Sequence, residues 1–138
     1  MRALAIDFGL KRVGLAVCDP EGLLASPYGL IERTTRAKLF DDLLDILQKE
    51  GVERVVVGLP LDLEGRDTET TRQARNFAAS LARRTDVPVE LYDERLTSAQ
   101  AEDQLREAGI RCPKRRKTRL DSQAATVLLE SWLRTRTA

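Results

Sequence analysis

RALAIDF, residues 2–8, is the stretch on which the fold turns. It is an almost unbroken apolar run, the pattern of a central strand covered on both faces and not that of a half-wet strand. VGLAVC, residues 13–18, follows after a short turn and reads as its hairpin partner. Tyr28 to Glu32, beyond the Ser26-Pro27 break, reads as a third strand. From about Thr35 to Glu50 the period becomes helical, with Leu39, Phe40, Leu43, Leu44 and Leu47 on one face and Gly51 as the stop. RVVVG, residues 54–58, is a buried strand in the same style as the first.

The polar loop Leu59 to Asp67, which contains Gly65, is expected to be mobile and to lie at the strand ends. It leads into a second helix whose stripe is Ala74, Phe77, Ala78 and Leu81. Val87 to Tyr92 is a fifth strand. Thr97 with Gln100 makes a capping-box start for a helix that Gly109 ends, and a last helix is expected from about Arg119 to Arg134. Hairpin strands followed by right-handed β-α-β crossovers predict an α/β fold: a mixed five-stranded sheet with an antiparallel three-strand start and helices on both faces. A length of 138 residues, with no internal repeat or linker, suggests one domain over 1–138.

Composition narrows the chemistry. The chain is 42% hydrophobic and 33% charged but only 4% aromatic, so aliphatic side chains fill most of the core. It has no histidine, which excludes Ser-His and Cys-His catalysis, histidine-bearing zinc sites and a histidine general base. Cys18 and Cys112 form no Cys-x-x-Cys pair; they read as a small core residue and a free thiol. No secretory segment follows Met1 and no apolar run approaches the ~20 residues of a membrane span, so the cytoplasm is the default location. Residues 111–119, RCPKRRKTR, carry +6, which leaves −5 for the rest of a chain whose net charge is +1. A concentrated basic segment on a mildly acidic body is the footprint of a polyanion-binding protein.

Three carboxylates stand where carboxylates are costly. Asp7 ends the most hydrophobic strand, and an ionised acid there needs a partner or a metal ion. Asp121 stands four residues before Ala125 and continues the Ala125, Leu128, Leu129, Trp132 stripe toward the core. The third comes from Asp93-Glu94, where the fifth strand ends. Asp93 continues the Val87, Val89, Leu91 face and Glu94 the opposite one; periodicity does not say which turns inward. Three acids from three elements, meeting at one sheet edge, suit hard divalent cations with oxygen ligands.

DFGLKRVGLA, residues 7–16, resembles the Asp-x-Gly-x-x-Arg-x-Gly-x-Ala opening of the YqgF (RuvX) family, a bacterial branch of the RNase H-like superfamily related to the RuvC junction resolvases. Gly58-Leu59-Pro60-Leu61 with Gly65 downstream, Asp93-Glu94-Arg95-Leu96-Thr97-Ser98, and Asp121-x-x-Ala124-Ala125 agree in order and spacing, so the resemblance covers essentially the whole chain. It implies an RNase H-like fold and catalytic, metal-binding acids at Asp7, Glu94 and Asp121, preferring Glu94 to Asp93. It also implies a nuclease acting on structured nucleic acid, by Holliday junction resolution or by maturing the 5′ end of the 16S ribosomal RNA precursor.

The residues suit that chemistry. Two Mg²⁺ or Mn²⁺ ions about 3.5–4 Å apart can activate water and neutralise a phosphodiester without histidine. Asp7 would bridge them, with Glu94 and Asp121 completing one shell each. Lys11, Arg12 and Arg95 border the same edge, and Lys114, Arg115, Arg116, Lys117 and Arg119 would grip the backbone of branched DNA or precursor rRNA without reading sequence. Cutting a four-way junction symmetrically would favour a two-fold homodimer. Two other readings compete. Asp7-x-Gly with Gly14 also resembles the phosphate-binding corner of actin-like ATPases and sugar kinases, but those close two lobes on a nucleotide and this length provides one. A non-cleaving nucleic-acid-binding accessory factor of ribosome assembly or transcription would keep the basic segment and have no need of the acids.

Overall fold

The computed structural model describes residues 1–95 and the backbone of 113–137, with side chains of that last segment from 123 to 136. In order come β1 (Ala3–Phe8), β2 (Arg12–Cys18), β3 (Ala25–Glu32), α1 (Arg36–Lys49), β4 (Arg54–Leu59), α2 (Glu69–Ala82), β5 (Val89–Asp93) and a C-terminal helix (Pro113–Thr137). The sheet has five strands in the order β3-β2-β1-β4-β5. β1 pairs antiparallel with β2 and β2 with β3, while β4 runs parallel to both β1 and β5. The expected mixed sheet with its antiparallel start is the observed one.

Side-chain alternation divides the sheet into two layers. Leu4, Ile6, Val13, Leu15, Val55 and Val57 face α1 and α2, packing on Leu39, Leu43, Phe77 and Leu81. Ala3, Ala5, Ala16, Cys18 and Val56 face the C-terminal helix, against Ala125, Leu128, Leu129 and Trp132. The second face carries small residues, so that helix can lie close to the sheet. Each fully buried leucine or valine contributes about 1.5–3 kcal/mol of transfer free energy. Thr35 caps α1 by accepting from Lys38 N, and Thr68 with Thr71 closes a reciprocal capping box on α2.

The boundaries differ from the sequence reading in three places. β3 begins at Ala25, not Tyr28, and runs through Pro27. It is the edge strand, where a missing N–H is tolerated, and the register shifts where Pro27 meets Ala16. β5 begins at Val89 and reaches Asp93, because Val87 N is taken by Thr85 Oγ1, 3.1 Å away. The C-terminal helix begins at Pro113, six residues before the expected Arg119. Proline suits a first helical position, since the N–H it lacks has no partner there. The predicted helix from Thr97 to Gly109, and Cys112, lie outside the described residues. Loop 59–67 is built around Asp62, whose Oδ1 accepts from Glu64 N and Arg66 N at 2.9 and 2.8 Å, with Gly65 at a φ of 82°. Among the described residues no helix is long and apolar enough to cross a membrane.

Candidate functional site

Alternation along β1 places Asp7 on the Ala3, Ala5 face, toward the C-terminal helix, and Phe8 on the other. Asp7 lies opposite Gly14 of β2 and ends the strand at the carboxyl edge of the parallel half of the sheet. Ligand sites of open α/β sheets gather at that edge. The chain then turns sharply: Gly9 N donates to Arg12 O at 3.0 Å, and a Cβ at Gly9 would stand 2.5 Å from that carbonyl oxygen. Only glycine fits this corner.

β5 supplies the second acid. Its Glu90 accepts from Trp132 Nε1 at 2.5 Å and its Tyr92 hydroxyl lies 2.7 Å from Ser131 Oγ, so the Glu90, Tyr92 face is the one that meets the C-terminal helix. Glu94 continues that face. Its N–H donates to Leu59 O at 3.2 Å, and its carboxyl is hydrogen-bonded to Asp7. Burial, followed by the nearby charge of Asp7 and the hydrogen bond to it, pushes the Glu94 pKa up to about 8. Asp93 turns the other way. It accepts from Arg95 Nε at 2.8 Å and from Arg95 N at 3.0 Å, and the Arg95 guanidinium holds its carboxyl below the usual range. The structure thus brings Asp7 and Glu94 together and leaves Asp93 outside, paired with an arginine.

A residue to which sequence reasoning gave no role makes this meeting possible. Gly58, on β4, has no side chain, and a Cβ built there would overlap Glu94 Oε2 and stand 3.2 Å from Leu128 Cδ2. The glycine was visible within Gly58-Leu59-Pro60, but nothing local signals why it is needed, since its backbone has no positive φ. Only the neighbouring strand explains it.

The other expected site residues are placed less completely. Position 121 lies within the C-terminal helix, one turn before Ala125, and the Asp121 side chain lies outside the described residues. Lys114, Arg115, Arg116, Lys117 and Arg119 lie in the first two turns of that helix; their side chains are likewise outside the description. Lys11 is exposed at the β1–β2 turn and Arg12 is half-buried beside it. Arg95 is ion-paired with Asp93 at 2.6 Å and lies against loop 59–67, where a Cβ at Gly65 would stand 3.1 Å from its Nη1.

The donor set fits a divalent cation. Two carboxyls that face each other in a partly buried, histidine-free corner repel unless a proton or a metal ion lies between them, and all their ligand atoms are hard oxygens. Among the described residues two acids meet; a group of three does not form there.

Comparison with known proteins gives a consistent picture. Residues 1–135 match the RuvX family model, described as Holliday junction resolvase. A Maridesulfovibrio salexigens protein, provisionally named as a pre-16S rRNA nuclease, is 58% identical over 133 residues, covering 96% of this chain and 98% of its own. A Nitratidesulfovibrio vulgaris (strain Miyazaki F) protein with the same provisional name is 47% identical, covering 96% and 93%. Among solved structures, Thermus thermophilus RuvC in complex with a Holliday junction superposes with a TM-score of 0.59 at 18% identity, covering 100% of this chain and 97% of that one. The Fowlpox virus resolvase complexed with Holliday junction DNA gives 0.62 at 12% identity, covering 100% of both. At such low identity these two matches establish the fold, which is the RNase H-like one of the resolvases.

Proposed function

This chain belongs to the RuvX family, and we propose that it is a divalent-metal-dependent endonuclease that hydrolyses phosphodiester bonds at the corner formed by Asp7, Glu94 and Asp121. The observation that carries this reading is the half-buried Glu94 carboxyl held against Asp7 at the carboxyl end of the sheet. A structural role alone is a poor reason to bury two facing acids, because removing them from water costs free energy that only a shared proton or a cation offsets.

Asp7, fixed between paired strands, would be the shared ligand; Glu94, on β5, would hold one side, and Asp121 the other. Mg²⁺ or Mn²⁺ bound there would lower the pKa of an attacking water and neutralise charge on the phosphate. Occupancy requires Glu94 to lose its proton, so its raised pKa and metal binding compete for one carboxyl. Lys11 and Arg12, on the turn that Gly9 tightens, would meet the phosphates on either side of the cut. The basic first turns of the C-terminal helix add positive charge to a helix end that already carries some, which favours a polyanion.

The substrate favoured is the precursor end of 16S rRNA, supported by the names of near-full-length relatives at 58% and 47% identity. The second reading is a four-way DNA junction, supported by the description of the family model. Both substrates should be incubated with wild type and Asp7→Asn in Mn²⁺. Cleavage of one by wild type alone supports the nuclease reading and names the polymer. Binding of both by both proteins, with neither cut, would replace it with a non-cleaving accessory factor.

A further inference from the structure

Three exposed arginines from two helices meet at one buried residue, Ser80 of α2, which is 2% exposed. Its Oγ accepts from Arg36 Nη2 at 2.5 Å and from Arg83 Nη2 at 3.1 Å, and its carbonyl oxygen accepts from Arg84 Nη1 at 2.8 Å. The Arg84 and Arg36 guanidinium groups also stand over the Phe40 ring, 4.2 and 5.4 Å from its centroid. A hydroxyl, a carbonyl and a ring face orient a guanidinium without cancelling its charge. Among the described residues no carboxylate ion-pairs with any of the three, although Asp41 lines the same groove as Arg36 and Arg84.

Helix stability accounts for two of these cations and not for the third. Arg83 and Arg84 stand at and just beyond the C-terminal end of α2, where positive charge suits the helix dipole. Arg36 is the first residue of α1, at the positive end of a helix whose first turn contains no acid. A cation is disfavoured there, and this one is brought against two more. Like charges gathered without a counter-ion repel, so the arrangement calls for an anion. The planar fork of guanidinium N–H donors matches the oxygens of a phosphate.

The cluster is continuous with the end of β1. Arg36 lines two grooves: one of about 570 Å³ that it shares with Arg84, and one of about 550 Å³ that it shares with Arg33. Arg33 Nη1 donates to the carbonyls of Gly9 and Leu10 at 2.9 and 3.0 Å, and its guanidinium covers Phe8, the residue after Asp7. Arg33, Arg36, Arg84 and Arg83 thus form a cationic track that starts beside Asp7 and runs along the α1 and α2 side of the sheet. We propose that the phosphodiester backbone of the substrate leaves the acid corner over the end of β1 and follows this track, with the arginines around Ser80 gripping phosphates beyond the cut. This rests on the nucleic-acid reading above and adds to it a contact on the side of the sheet away from the acids. Phosphate contacts of this kind fix the register of the substrate and read no sequence.

The test uses the full chain without divalent metal and two fluorescein-labelled probes, the precursor 16S RNA fragment and the four-way DNA junction, titrated by anisotropy over a series of KCl concentrations. On the probe that wild type binds more tightly, Arg36→Gln and Arg83→Gln should each weaken binding about tenfold. Each should also lower the slope of log affinity against log salt by about one. Arg72→Gln, which removes a cation paired with Glu69 outside the track, should change neither. Thermal melting confirms that the variants fold. If Arg36→Gln and Arg83→Gln match wild type, or lose affinity with the slope unchanged, the track is overturned while the nuclease reading stands. Inorganic phosphate at matched ionic strength is the second arm. If it raises the melting temperature of wild type but not of Arg36→Gln, while probe binding ignores the substitution, the cluster is a site for a free anion and the track is again overturned. If wild type binds neither probe, both readings fall together.

Discussion

Glu94 occupies the space that a side chain at Gly58 would fill: a methyl group there would overlap Glu94 Oε2 and press on Leu128 Cδ2 at 3.2 Å. The glycine on β4 is therefore part of how the acid on β5 reaches Asp7 on β1. Its backbone is ordinary strand, so a β-carbon costs the backbone nothing, and the cost falls on the carboxyl.

Gly58→Ala should accordingly fold with a melting temperature close to wild type, while metal-dependent cleavage falls about a hundredfold, the typical result of moving a reacting group by an ångström. Thermal denaturation and a cleavage assay on the same preparation separate the two effects. Equal activity in the alanine variant would show that the position of Glu94 is not critical.

Asp7→Asn should reduce cleavage to background and leave nucleic-acid affinity equal or slightly higher, because it removes a negative charge from a surface that meets a polyanion. It should also let Glu94 ionise at a lower pH, since the Asp7 charge and hydrogen bond are among the causes that raise it. Carboxyl resonances followed by NMR against pH report this directly.

Stability of the metal-free protein should fall as pH rises from about 4.5 to about 8. The Glu94 pKa is raised on folding, so the folded chain binds that proton more tightly than the unfolded one; the contribution is complete below the unfolded value and lost as pH climbs through 8. No histidine titrates in that window. Asp67 and Asp93, lowered by Arg75 and Arg95, contribute in the opposite sense, and only below the normal carboxylate range. Glu94→Gln should flatten most of the slope. Millimolar Mg²⁺ should stabilise wild type more at pH 8 than at pH 5.5, and EDTA should restore the slope.

Leu128→Ala should cost about 3 kcal/mol, since Leu128 is 1% exposed at the centre of the layer between the C-terminal helix and the small residues of the sheet. Urea denaturation measures it. Cleavage should also suffer at temperatures where the variant is fully folded, because Leu128 packs beside the Glu94 carboxyl.

The architecture was legible because both of its signals are local. The apolar runs 2–8, 13–18 and 54–58 mark buried strands by their lack of alternation, and the stripes of α1 and α2 lie where a 3.6-residue period puts them. Boundaries differ for more than one reason: one is set by the strand's place in the sheet, the others by proline and side-chain chemistry within a few residues. Pro27 is admitted to β3 because the strand lies at the edge, and the C-terminal helix takes in Pro113 as its first residue.

Asp7 as the costly acid, and one of the pair Asp93-Glu94 as its companion, followed from the sequence alone, because a carboxylate ending an apolar strand is expensive in any fold. Periodicity leaves open which of the two turns toward Asp7; the family resemblance prefers Glu94, and the tertiary structure supplies the physical reason. Alternation assigns Asp93 and Glu94 to opposite faces and does not say which face the C-terminal helix covers. The bonds from Glu90 to Trp132 and from Tyr92 to Ser131 place that helix on the Glu94 side, where Asp7 also points, and the absent side chain of Gly58 leaves the room between them. A single strand carries its own period, but the side on which a distant helix packs is a property of the assembled sheet.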